Sequence, residues 1–120
     1  MEIQKCIFMG GWLIQATMEV VDQLARGDYE SLVGQSVKSR LTSDDLRTAI
    51  RDYGRKLVSP PADAYNNLDA VRVKGAAVPT WSVRAPLWTE EEGRSDLTLE
   101  LTIAVASDAP SVELDDLHVL

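Results

Sequence analysis

The chain has 120 residues, 45% hydrophobic and 26% charged, with one cysteine, one histidine and a formal net charge of −7. A chain of this length buries roughly two-thirds of the surface its unfolded form exposes and folds on its own core. A single cysteine excludes an internal disulfide and a cysteine-rich zinc centre, and 12 basic against 19 acidic side chains argue against nucleic acid, which needs clustered cations. A lone thiol suits a reducing compartment, so the expected location is the cytoplasm.

The charge is not evenly spread. Residues 1–60 carry 8 acidic and 8 basic side chains, residues 61–120 carry 11 acidic and 4 basic, and so the whole of the −7 lies in the second half. Its densest points are Glu90-Glu91-Glu92 and Asp115-Asp116. Such runs are ordinarily solvated faces; the sharper reading is an acidic surface, Glu90, Glu91, Glu92 and Asp115, that steers a basic protein partner.

In chain order, Cys6 to Ile14 is the most apolar stretch. Glu2 offsets Lys5, no clean cleavage pattern follows, and the run is short of the ~20 residues of a membrane span, so neither a signal peptide nor a membrane anchor is expected. Residues 1–11 read as a leader and 12–120 as a single domain. From Trp12, Leu13, Ala16, Thr17, Val20, Val21 and Leu24 recur at helical spacing on one face. Gly27 ends that helix and Asp28 opens a short second one with Tyr29, Leu32 and Val33, stopped by Gly34. Thr42-Ser43-Asp44-Asp45 starts a third, because a hydroxyl caps free backbone N–H groups and carboxylates complement the helix dipole. Its stripe is Leu46, Ile50 and Tyr53, and Ser59-Pro60-Pro61 sets its end near Leu57 or Val58.

Beyond the prolines the period becomes two. Val71 and Val73 form one run, Trp81, Val83, Ala85 and Leu87 a second, and Leu97, Leu99, Leu101, Ile103 and Val105 a third. Residues 89–96 make the second and third runs a hairpin, and Ser107-Asp108-Ala109-Pro110 turns into a last strand, 111–120. Helices first and strands afterwards predict an α+β fold, in the order α-α-α-β-β-β-β, with the helices packed on one face of a four-stranded antiparallel sheet.

The only histidine, His118, stands two residues after Asp116. Strand positions i and i+2 share a face, so carboxylate and imidazole project side by side, together with Val112, Leu114 and Leu120. A carboxylate orienting an imidazole is a candidate catalytic pair, a general base and its orienter; the plainer reading is a hydrogen-bonded pair at the sheet rim. Cys6 reads as an apolar filler. Trp81 reads as core, whereas Arg84, Trp88, Glu100 and Thr102 fall on the other face, either as an open binding surface or as the lining of a pocket. Arg84 or Tyr53 is then the group that holds an oxyanion. No spacing suggests a zinc or calcium site, a phosphate loop, a dinucleotide motif or a serine elbow, so no metal and no cofactor are expected.

The segment Val20 to Tyr29, with its Gly27-Asp28-Tyr29 bend, resembles the opening helices of the nuclear transport factor 2-like superfamily, which implies a curved antiparallel sheet behind them; the span between Gly34 and Thr42 is short for the early strands of such folds. A cystatin-like layout is the related expectation. From about residue 17 to residue 120 the chain is also similar to a family of small bacterial domains of unknown function. The similarity lies in Asp52-Tyr53-Gly54, Trp81-Ser82-Val83-Arg84, the run Leu87 to Thr98, and Asp115 to Leu120. The superfamily resemblance embraces isomerases, dehydratases and binding domains, so it implies no single activity. The expected function is a non-catalytic binding or protein-interaction module, for example an immunity-type protein that masks a basic toxin. The alternatives are a small-molecule pocket protein or enzyme using Asp116 and His118, and a structural or homodimeric sheet domain.

Overall fold

In the computed structural model, which describes residues 2–66, 68–105 and 109–120, with side chains from Gly11 onward, the apolar stripe of the first helix is the roof of the core. Helix α1 spans Glu2–Arg26, so its backbone runs through the segment read as a leader; the side chains there, Cys6 among them, lie outside those described. Leu13, Ala16, Thr17, Val20, Val21 and Leu24 are all buried. Thr17 is tolerated on this apolar face because its hydroxyl donates to the Leu13 carbonyl at 2.9 Å, which satisfies the buried oxygen locally.

Helix α2 spans Tyr29–Gln35 and buries Leu32. Helix α3 spans Ser43–Tyr53 behind a complete capping box. Thr42 Oγ1 accepts from the Asp45 amide at 3.0 Å and Asp45 Oδ2 accepts from the Thr42 amide at 2.9 Å. The helix stops at Tyr53, short of the expected Leu57 or Val58. Gly54 takes the left-handed conformation, φ 75°, and its amide returns to the Ile50 carbonyl; the glycine ends the helix before the prolines are reached.

Among the described residues the sheet has six strands where four were expected. Strands β1 (Lys38–Ser39) and β2 (Leu57–Val58) are the additions, two residues each; β3 (Asp69–Arg72), β4 (Thr80–Thr89), β5 (Gly93–Val105) and β6 (Pro110–Val119) were legible as periodic runs. The order is β1-β6-β5-β4-β2, with β3 also paired to β4. Every pairing is antiparallel except β1 with β6, so the sheet is mixed. The turn expected at residues 107–110 falls partly outside the described residues.

Val83, Ala85, Leu87, Leu97, Leu99, Leu101, Ile103, Leu114 and Leu117 face the helices and complete the core with the α1 stripe. Each fully buried aliphatic side chain contributes about 1.5–3 kcal/mol. The strict alternation expected along the last strand breaks at Asp115. Glu100 pairs with Asp116 while Leu101 pairs with Leu114, so Asp115 is the extra residue of a β-bulge. As a result Val112 and Leu114 lie on the core face, and Asp116 and His118 lie on the opposite one. The reading that put all four on one face assumed an unbroken period of two.

Candidate functional site

The face of the sheet turned away from the helices carries the chemistry. Cross-strand register sets the residues in rows: Asp69, Arg84, Glu100 and Asp116 form one, and Pro86, Thr98 and His118 the next. Residues 60–66, including a 3₁₀ turn at Ala62–Tyr65, together with Leu68 and Asp69 border this face at the β4 end. Between the two lies a concavity of about 350 Å³ whose floor and walls include Tyr65, Leu68, Arg84, Pro86, Trp88 and Arg94. That volume is at the small end of ligand pockets.

Local sequence explains why these groups converge. Trp88 lies opposite Arg94 across the hairpin, and its ring rests 3.7 Å from where a Cβ would stand on Gly93. Gly93 has φ 75°, the left-handed conformation that the turn requires and that favours glycine; a Cβ there would meet the indole only at ordinary contact distance. Arg84 and Arg94 are exposed, and among the described residues neither makes an ion pair within 4 Å. Two guanidinium groups beside a flat apolar wall can receive a carboxylate or phosphate on one side and an apolar ring on the other. Asp63 and Asp69 also line the concavity and offset the charge of the two arginines. Tyr65 is 5% exposed and its hydroxyl has no hydrogen-bond partner among the described residues. Burial, with the Asp22 carboxylate adding to it, pushes this phenol up to about 12.

The expected catalytic pair takes a different form. His118 Nε2 meets Glu100 Oε2 at 2.5 Å, across to the neighbouring strand, while Asp116 Oδ2 stands 3.9 Å away. Asp116 Oδ1 instead accepts from the Leu117 amide at 2.9 Å. The Glu100 carboxylate bonded to the ring is the main cause holding the imidazole above its ordinary pKa; partial burial opposes it and the Asp116 charge adds to it. His118 does not line the concavity, but its cross-strand neighbour Thr98 does. Sequence periodicity joined Asp116 to His118 through i, i+2 spacing and had no means of seeing Glu100, which register supplies from β5.

Tyr53 is separated from Arg84 and Trp88. Its hydroxyl donates to Glu92 at 3.0 and 3.2 Å. The acidic hairpin is tied to the α3–β2 connection throughout: Glu92 also accepts from Thr89 Oγ1 at 3.0 Å, Glu91 accepts from the Lys56 amide at 3.1 Å, and Glu90 lies 3.6 Å from Lys56 Nζ. Asp115 accepts from Thr102 Oγ1 at 2.6 Å. These carboxylates still present charge to water, yet each already holds a donor within the molecule. Trp81 packs against the core with its indole N–H unpartnered among the described residues, and Arg72 lies over its ring at 5.9 Å.

The model of a family described as a domain of unknown function, DUF7668, matches residues 21–120. The chain belongs to this family. The match takes in all the residues of the DUF7668 concavity and of the His118 cluster. No curated protein and no solved structure matches the chain. Among the described residues, no helix is long and apolar enough to cross a membrane.

Proposed function

We propose that this DUF7668 domain is a non-catalytic binding module that takes a small organic anion, a carboxylate or phosphate ester bearing a flat apolar group, on the open face of its sheet. The observation that carries this reading is the pair Arg84 and Arg94, both without an ion-pair partner among the described residues, flanking the Trp88 and Pro86 wall of a 350 Å³ concavity. A guanidinium fork binds planar oxyanions bidentately, and an indole face adds contact area at low entropic cost. A binding role is favoured over catalysis because the only imidazole is engaged by Glu100 and lies outside the lining.

Titration of the labelled protein with phenyl phosphate and phenylacetate, followed by amide chemical shifts, tests the reading. Saturable shifts centred on Arg84, Trp88, Arg94 and Leu120 are expected. Shifts scattered over the helical face, or none at millimolar ligand, contradict it.

A second reading is a protein partner. It is favoured by β3, which is paired with β4, shows no other pairing among the described residues and exposes Val71, with Val73 just beyond it. An edge of that kind accepts an added strand. A partner captured this way protects the β3 amides from hydrogen exchange and leaves those around Arg94 unchanged.

A further inference from the structure

The cluster beside the concavity has a composition that the binding reading does not use. Glu100 and Asp116 are direct register partners on β5 and β6, and His118 follows two positions later on the same face. One ligand atom from each, the imidazole nitrogen and two carboxylate oxygens, lies within 4.8 Å of the others. All three side chains reach solvent, at 28%, 56% and 33% exposure respectively.

We propose that Glu100, Asp116 and His118 form a divalent-cation site of one imidazole nitrogen and two carboxylate oxygens, fitted to Zn²⁺ or a similar first-row ion. This goes beyond the binding function and does not depend on it.

The geometry comes from the bulge. Inserting Asp115 lets Leu114 and Leu117 both reach the core while Asp116 stays beside Glu100 on the open face. Donor atoms sharing one zinc ion at about 2.0–2.2 Å stand at most about 4.3 Å apart. The 2.5 Å and 3.9 Å separations from His118 Nε2 bracket the roughly 3–3.5 Å of neighbouring ligands. Small side-chain rotations, opening the Glu100 contact and closing the Asp116 one, meet that requirement.

The local charge points the same way. Asp115 adds a third carboxylate, held by Thr102, and Glu113 is the register partner of Thr102. The nearest cation in register, Arg84 opposite Glu100, makes no ion pair within 4 Å among the described residues. Two carboxylates, Glu100 and Asp116, therefore converge on one imidazole, and a divalent ion adds positive charge where acidic side chains outnumber it. An imidazole ligand favours zinc over magnesium and calcium, which prefer oxygen donors alone. Three protein ligands leave a fourth position open to water or to an added ligand.

The single histidine makes the test direct, since the imidazole ¹⁵N signals of the full chain report on His118 alone. Addition of ZnCl₂ to the metal-free protein is expected to move the Nε2 resonance to saturation at about one equivalent, and millimolar MgCl₂ is expected not to reverse it. In Glu100→Gln, and more so in Glu100→Gln with Asp116→Asn, the zinc concentration for half-saturation rises about tenfold or more. Unchanged amide shifts of the core strands show that the variants fold; if the double variant does not, the single Glu100→Gln decides. A Nε2 signal that stays unmoved up to millimolar ZnCl₂ overturns the proposal. So does equal affinity in the native chain and Glu100→Gln, which would reduce the event to a lone histidine.

Discussion

Removing Glu92 discriminates a structural tie from a solvated acidic run. In Glu92→Ala the Tyr53 hydroxyl and the Thr89 hydroxyl both lose their acceptor, contacts of 3.0 Å each in the native chain. Thr89 is 1% exposed, so its hydroxyl cannot simply turn to water. A hydrogen bond to a charged group contributes about 1.5–3 kcal/mol when well buried. The Glu92 carboxylate is exposed, and solvent screening reduces each contact to roughly 0.5–1 kcal/mol. The variant is thus expected to lose about 1–2 kcal/mol, equivalent to a drop of roughly 4–8 °C in Tm for a chain of this size. A glutamate that served only as surface charge gives the opposite sign, because removing one negative charge from a −7 chain relieves self-repulsion. Urea unfolding followed by circular dichroism measures the difference through the midpoint at constant m. Glu90→Ala, whose carboxylate has only an exposed partner at 3.6 Å, serves as a control and is expected within about 0.5 kcal/mol of native. A double-mutant cycle with Tyr53→Phe isolates the coupling across the α3–hairpin junction. If Glu92→Ala equals or exceeds native stability, the hairpin is not held by this carboxylate and the reasoning fails.

Leu101→Ala empties a fully buried site at the centre of β5 and is expected to cost about 2–5 kcal/mol in the same unfolding assay. Gly54→Ala places a Cβ at φ 75° and is expected to lower stability by about 1 kcal/mol although nothing crowds the position. Tyr65→Phe removes a buried hydroxyl that has no partner among the described residues, so stability at pH 7 is expected to stay level or rise slightly. The same phenol has a pKa raised from 10.0 to about 12. Above pH 10 the unfolded chain ionises this phenol while the folded state resists doing so, so stability falls as pH rises from 10 toward 12. Unfolding midpoints recorded across that range are expected to fall less steeply in Tyr65→Phe than in the native chain.

The helices were legible because their signals are local. The α1 stripe from Leu13 to Leu24 and the Thr42–Asp45 cap depend on spacing within one element, and both stand as read. The long strands followed from alternation of period two. What sequence periodicity could not carry was anything set by a neighbouring strand. The two-residue strands β1 and β2 are too short to show a period and exist only because β6 and β4 offer them an edge. The bulge at Asp115 looks, in sequence, like one more acidic residue, yet it moves Leu114 and His118 to opposite faces. Glu100 belonged to the expected surface with Arg84 and Trp88, but its pairing with His118 required the β5–β6 register. Tyr53 was grouped with Arg84 on chemical type alone, and α3 carries it to Glu92 instead. The concavity itself is bordered by residues 60–66 with Leu68 and Asp69, where the prolines and the 3₁₀ turn carry no periodic signal.

Arg84 and Arg94 carry the proposed anion recognition, and calorimetric titration of phenyl phosphate into the native chain and into Arg84→Gln/Arg94→Gln tests this most directly. Both arginines are exposed and without ion-pair partners among the described residues, so the variant is expected to unfold within about 0.5 kcal/mol of native. Its affinity is expected to fall by about tenfold or more, from the loss of charged hydrogen bonds of about 1.5–3 kcal/mol each, and the native affinity to weaken with added salt. Equal affinity in the two proteins would contradict the account.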